Sequence, residues 1–221
     1  MKRNRLANAT KDAASGQLLF PSTRLSNIKT ALEAKYGPET GSLIYLDAEK
    51  VLGDERSTMD DRGNRVIGNH LRNNILPGYA CHRAMLNAGI DQQEAIEFVK
   101  GELCTAAERM AKLSRKLRTK KHAYGIFRFF MKIALKFGYP AQGWTKTLIE
   151  DSDDRYRFDI TSCLYCEELQ KRNAFELCPA FCYTDVVSYA PLAPAIVFLR
   201  KNTLAQTGTT CDFCFERGKI S

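Results

Sequence analysis

The sequence predicts an α+β fold, in which a helical N-terminal half packs on a small antiparallel sheet with two inserted helices. Three observations point to it. Apolar residues recur at helical spacing from Leu25 to about Phe137. After Gly138-Tyr139-Pro140 the period falls to two, the alternation of half-buried strands. Six of the eight cysteines then crowd into Arg155–Arg217, in three pairs. Helices followed by strands, without regular βαβ alternation, read as α+β.

Residues 1–24 are polar and aperiodic and read as a flexible arm. Residues 25–221 read as one domain, helical over 25–140 and carrying the cysteine-rich sheet over 141–221. Leu25, Ile28 and Leu32, then Leu43, Leu46 and Val51, mark helices broken at Gly37-Pro38, and Asp54–Gly63 reads as a polar loop. A short helix from Asn64 should stop or kink before Pro77, and the next should end at Gly89. Asp91-Gln92-Gln93-Glu94 is a capping box opening a helix with Ile96, Val99, Leu103, Ala107, Met110, Leu113 and Leu117 on one stripe. A further helix spans about Ala123 to Phe137, and its phenylalanines have a spacing that suits a core. Strands follow at Trp144–Glu150 and Arg155–Thr161, then helices at Cys163–Lys171 and Glu176–Ser188. A hairpin of Ala195–Leu204 and Thr210–Arg217 turns around Thr207-Gly208.

The 221 residues, 44% hydrophobic and 26% charged, are ordinary for a globular protein. No apolar run reaches the roughly 18 residues that would span a bilayer. The N-terminus lacks an apolar stretch suited to a signal peptide. A cytoplasmic setting is therefore expected, where thiols stay reduced, so eight cysteines call for metal, catalysis or core filling. The net charge of +8 concentrates between Arg109 and Lys136, which holds ten Lys or Arg and no Asp or Glu. Such a segment can bind a membrane surface, nucleic acid or a small anion. With no nucleic-acid motif beside it, it reads as a solvated helix face, and no nucleic-acid partner is assigned.

The pairs Cys163/Cys166, Cys178/Cys182 and Cys211/Cys214 suggest zinc on spacing alone. On a strand, however, residues three apart point to opposite faces, so Cys211 and Cys214 do not readily share an ion. The two helical pairs do share faces and leave a mixed site open. The reading assigns no metal and no cofactor. Cys81 and Cys104 sit on apolar helix faces and read as core, as do Cys166 and Cys214. Cys163 lies at a strand-to-helix junction, where free amides and the helix dipole favour a thiolate. Cys182 and Asp185, three apart on one helix face, set a thiol beside a carboxylate.

Several ordered blocks resemble the L-2-amino-thiazoline-4-carboxylic acid hydrolase family. They are Phe158-Asp159-Ile160-Thr161-Ser162-Cys163, Glu176-Leu177-Cys178-Pro179-Ala180-Phe181-Cys182 with Asp185, then Arg200, Thr203-Leu204-Ala205, Gly208 and Cys211-Asp212-Phe213-Cys214-Phe215. Asn69-His70-Leu71 through Ile75-Leu76-Pro77 is similar to an N-terminal stretch of that family. The resemblance implies hydrolysis of a cyclic isothiourea to N-carbamoyl-L-cysteine, with a small-molecule substrate as partner. Expected roles are nucleophile for Cys163, with Cys182 as second candidate, and amidine partner or base for Asp185. Arg200, expected on a strand facing the site, would clamp the substrate carboxylate. His70 would carry protons, and Cys211 and Asp212 would line the substrate site. The alternative is a non-catalytic ligand-binding or redox-sensing domain, with Cys163 and Cys166 as its thiol pair. Two departures bear on the substrate: Cys81-His82-Arg83 replaces an aromatic and Leu-rich run, and Arg200-Lys201-Asn202-Thr203 is unusually basic.

Overall fold

A computed structural model describes residues 18–218 and has an α+β architecture, helices plus a four-stranded antiparallel sheet. The chain divides into two compact units, Met1–Leu103 and Cys104–Ser221, and the division falls inside one continuous helix.

The first unit is helical. The expected arm lies outside the described residues over 1–17, but from Leu18 the chain is anchored. Phe20–Ser22 form a 3₁₀ turn whose Phe20 is fully buried, its ring 5.8 Å from that of Tyr45. Glu49 accepts from the amides of Leu19 and Phe20 at 2.7 and 3.1 Å and so fixes that turn. Helix α1 (Ile28–Tyr36) ends at Gly37, which at φ 84° occupies the left-handed region, and α2 (Pro38–Thr58) starts with Pro38 in its first turn. α2 runs through half of the expected 54–63 loop, leaving a turn with Asp60 and Asp61 accepting from the amides of Arg62 and Gly63. Where α1 and α2 cross, a Cβ on Gly41 would stand 2.5 Å from the Glu33 backbone, so only glycine permits that approach.

Pro77 does not break its helix. α3 (Arg65–His70), a π-type turn at Leu71–Ile75 and α4 (Leu76–Asn87) run on continuously. Proline lacks the N–H that an α-turn would bond to Asn73 and a π-turn to Arg72. Both orphaned carbonyls find other donors: Arg24 N reaches Asn73 O at 3.1 Å, and Arg56 Nη2 reaches Arg72 O at 3.0 Å. Asp91 caps α5 (Gln92–Leu117) by accepting from Gln93 N and Glu94 N. Glu94 does not complete the capping box. Its carboxylate pairs instead with Lys35 and the Tyr36 hydroxyl. The buried stripe of α5 is Ala95, Val99, Leu103, Ala107, Ala111 and Ser114, while the expected Met110 and Leu113 are exposed.

In the second unit α6 (Ala123–Phe137) precedes β1 (Trp144–Asp151) and β2 (Arg155–Cys163). α7 (Leu164–Lys171) and α8 (Cys178–Tyr189) are inserted before β3 (Ile196–Leu199) and β4 (Cys211–Arg217). The order is β1-β2-β4-β3, antiparallel throughout. Alternation buries one face of the central pair: Tyr156, Phe158 and Ile160 of β2 stand opposite Phe215, Phe213 and Cys211 of β4. Phe158 and Phe213 stack at 5.0 Å with rings 7° apart, and Phe127 of α6 closes on Phe215 at 4.5 Å. Each such ring buried from water contributes about 1.5–3 kcal/mol, so this aromatic face helps anchor the unit. Lys146 of β1 donates to the carbonyls of Leu135 and Tyr139, tying the end of α6 to the sheet edge. α6 departs from expectation on one count: Phe127 is core, but Phe129, Phe130 and Phe137 face outward.

Candidate active site

The site forms where α7 and α8 meet the aromatic face of the sheet. β2 ends at Cys163, which is also the residue preceding α7. Ser162 fixes the junction by donating its hydroxyl to Glu167 at 2.6 Å. One helical turn into α7, Cys166 faces the start of α8, and its sulfur lies 3.1 Å from that of Cys178. On α8 the residues Cys178, Cys182, Asp185 and Tyr189 recur at intervals of four, three and four, hence on one face. Cys211 enters from β4, its sulfur accepting from the amide of Leu204 at 3.3 Å.

The thiols form a chain of contacts: Cys163 to Cys166, Cys166 to Cys178, Cys178 to Cys182. Charge within it does not sit where the sequence placed it. Cys163 is held well above the usual thiol range, first because it donates to Cys166 and then because it is buried. Cys166 is lowered because Cys163 and Cys178 both donate to its sulfur, which outweighs its burial. Cys178 is raised by its bonds to Cys166 and Cys182. The thiol favoured as thiolate lies one turn beyond the one expected, and its sulfur neighbours, ahead of the helix-start amide, are the cause. Burial pushes Cys211 up to about 11, partly offset by the Leu204 amide. Cys81 is raised by burial in the core, as its role there requires.

Arg200 lies just past β3, at the start of a loop rather than on the strand. Its Nη1 donates to Asp185 Oδ2 at 2.7 Å and its Nη2 to the Cys182 carbonyl at 2.8 Å. The guanidinium lies over the rings of Phe213 and Phe198, at 5.3 and 5.8 Å. Arg200 is nearly buried at 8% exposure, whereas 31% of the Asp185 side chain remains reachable by solvent. Desolvation by the surrounding protein is the largest influence on Asp185 and pushes its carboxyl up to about 6, against the pull of Arg200. Tyr189 also packs beside this pair, edge-on to Phe215 and Phe198, and burial raises its phenol well above the usual range.

Asp212 points to the opposite face of β4 and accepts from the amides of Lys201 and Asn202 at 3.0 and 2.6 Å, holding the loop that carries Arg200. His70 lies in the first unit at the end of α3, half-buried. The structure thus brings together Cys163, Cys182, Asp185, Arg200 and Cys211, and adds Cys166, Cys178 and Tyr189. The four-three-four spacing on α8 was the sequence signal for Cys178 and Tyr189. Among the described residues no group of three or more His, Cys, Asp or Glu side chains is arranged to hold a metal ion.

A small antiparallel sheet with two inserted helices, presenting a thiol chain beside a carboxylate–guanidinium pair, defines an α+β protein with the furniture of nucleophilic or acid–base chemistry. The chain belongs to the L-2-amino-thiazoline-4-carboxylic acid hydrolase family, whose sequence pattern matches residues 68–215. No curated protein and no solved structure is similar enough to match it.

Proposed function

We propose that the chain opens a small cyclic amidine or isothiourea, with L-2-amino-thiazoline-4-carboxylate as reference substrate and N-carbamoyl-L-cysteine as product. The observation that carries the reading is Asp185, oriented by Arg200 and three residues beyond the half-buried thiol of Cys182 on one face of α8, where the Cys166–Cys178 contact also lies. A substrate amidine would donate to the carboxylate of Asp185. Cys182 would attack the ring carbon between sulfur and nitrogen, passing its proton along the thiol chain towards Cys166. The ring carbon–sulfur bond then breaks, and the departing thiolate takes a proton back from the chain, leaving an enzyme-bound isothiourea. Water, deprotonated by Asp185, adds to the same carbon and expels the Cys182 thiolate, giving the carbamoyl product. One water is consumed and nothing is oxidised.

In this scheme Cys163 is the proton donor to Cys166 rather than the nucleophile, and no step is assigned to His70. Both terminal nitrogens of Arg200 are engaged, so Arg200 acts by holding Asp185 and not by clamping substrate. The chemistry requires reduced thiols, which fits a cytoplasmic setting. The test is thiol release from L-2-amino-thiazoline-4-carboxylate by the purified chain. Release that falls about 10²- to 10⁴-fold in both Cys182→Ser and Asp185→Asn supports the scheme. Full activity in either variant removes that residue from it.

A second reading, a thiol redox sensor, is favoured by the 3.1 Å contact of Cys166 and Cys178. A peroxide would oxidise the Cys166 thiolate to a sulfenic acid with loss of hydroxide. The Cys178 thiol would then attack that sulfur, forming the disulfide and releasing water. Reversible peroxide-driven loss of both thiols, in a chain that turns over no cyclic amidine, would favour the sensor.

A further inference from the structure

The basic segment found in the sequence acquires a shape in the second unit. Its ten cations exceed the whole chain's net charge of +8, so the rest of the protein is slightly acidic. Within it, α6 has two apolar faces. Ala123, Tyr124, Phe127 and Met131 are buried against the unit. Ile126, Phe129, Phe130, Ile133 and Phe137, at steps of three, one, three and four, form a second stripe on the outside. Phe129, Phe130 and Phe137 are 60%, 61% and 64% exposed, and unlike scattered single apolar residues they share one helix stripe. Lys136 borders the stripe with its ammonium 5.4 Å from the Phe137 ring centre, while the neighbouring Lys132 is held by Asp151 at 2.5 Å. Lys120 and Lys121 stand exposed just before the helix begins.

We infer that α6 is the face by which this protein rests on an anionic lipid bilayer surface. Charge selects the occupant. Glu108, Asp151 and Asp153 pair with Arg115, Arg128 and Lys132; a second copy would bring the remaining seven cations of each segment against one another, whereas an anionic headgroup layer neutralises them. The aromatic stripe then enters the headgroup–acyl boundary, and Lys136 keeps its ammonium group at headgroup level. At 15 residues the helix is about 22 Å long, too short to span and suited to lying in the plane of the interface. Among the described residues no helix is long and apolar enough to cross a membrane. The inference does not depend on the catalytic reading, because lipid binding is measured without substrate.

The experiment is co-sedimentation of the full chain with vesicles of phosphatidylcholine alone and of phosphatidylcholine mixed with phosphatidylglycerol. Binding is expected to the anionic vesicles only, and to weaken as salt is raised. Phe129→Ser/Phe130→Ser should reduce it by at least about tenfold, and Lys136→Gln by about fivefold. All three side chains are exposed, and circular dichroism would verify unchanged helix content. The inference is overturned by absence of binding, by equal binding to both vesicles, or by a double variant that binds as well as the parent. It is also overturned by a dimer that depends on Phe129 and Phe130 without lipid binding, or by single-stranded RNA displacing the vesicles.

Discussion

Arg200 grips Asp185 at 2.7 Å and, with its other terminal nitrogen, the backbone of Cys182 at 2.8 Å, so one side chain sets both the carboxylate and the helix turn carrying the thiol. An aspartate paired with arginine usually lies below its ordinary value near 3.9. Asp185 is instead raised to about 6, because desolvation outweighs the ion pair.

The first prediction follows from that balance. The folded protein binds a proton at Asp185 more readily than the unfolded chain does, so between about pH 4 and 6 ionising it costs stability. The proposed chemistry needs the ionised form, so kcat/KM should rise with pH through an acidic limb near 6. Removing the guanidinium in Arg200→Gln removes the group that favours ionisation, and the limb should move upward. A limb near 4, or one that Arg200→Gln leaves in place, would contradict the assignment of Asp185.

The second concerns the location of the thiolate. Cys163 is the largest influence lowering Cys166, through the bond it donates, and Cys178 comes next. Ultraviolet thiolate absorbance should therefore reveal a low-pKa thiol that is absent in Cys166→Ser. In Cys163→Ala the same thiol should persist but titrate higher, having lost its first donor. If Cys163→Ala abolishes the signal and Cys166→Ser preserves it, the thiolate belongs to Cys163.

Much of this was legible in the sequence, and the exceptions share a cause. Alternation in Tyr156, Phe158 and Ile160 and in Cys211, Phe213 and Phe215 identified the inner sheet face, because period-two burial leaves a direct trace. The limits of α6 were equally clear. Its buried side was not, because Phe127 and Phe130 are chemically alike and only the packing partner distinguishes them. The same holds for the second donor to Cys166, a sulfur twelve residues away in the next helix. The helix does not stop at Pro77 for a related reason: a π-type turn precedes it, and the carbonyls it orphans are satisfied by Arg24 and Arg56, both distant in sequence. Local pattern shows where elements lie, and non-local donors decide what a given side chain does.

A third prediction tests the helix crossing in the first unit. Within a helix, glycine to alanine ordinarily gains about 1 kcal/mol. At Gly41 the added Cβ would meet the Glu33 backbone at 2.5 Å, and backbone cannot swing aside as a side-chain tip can. Overpacking of this kind costs about 1–3 kcal/mol and should reverse the sign. Denaturant unfolding of Gly41→Ala should show a lower midpoint, while Gly101→Ala, where the new methyl meets open space, should not.

The last prediction separates two roles for Asp212. The sequence suggested that this carboxylate lines the substrate site, but the structure spends it on the amides of Lys201 and Asn202, next to Arg200. Bonds to a charged acceptor contribute about 1.5–3 kcal/mol. Asp212→Ala should free the loop, loosen Arg200 from Asp185, lower kcat/KM about tenfold or more and shift the acidic limb upward. Asp212→Asn retains an oxygen that accepts both amides and should keep most of the activity with the limb near its parental position. Direct substrate binding predicts the opposite for asparagine, a raised KM as severe as that of alanine with the limb unmoved. The pH profile distinguishes the two even if both variants lose activity, because only the loop role connects Asp212 to the ionisation of Asp185.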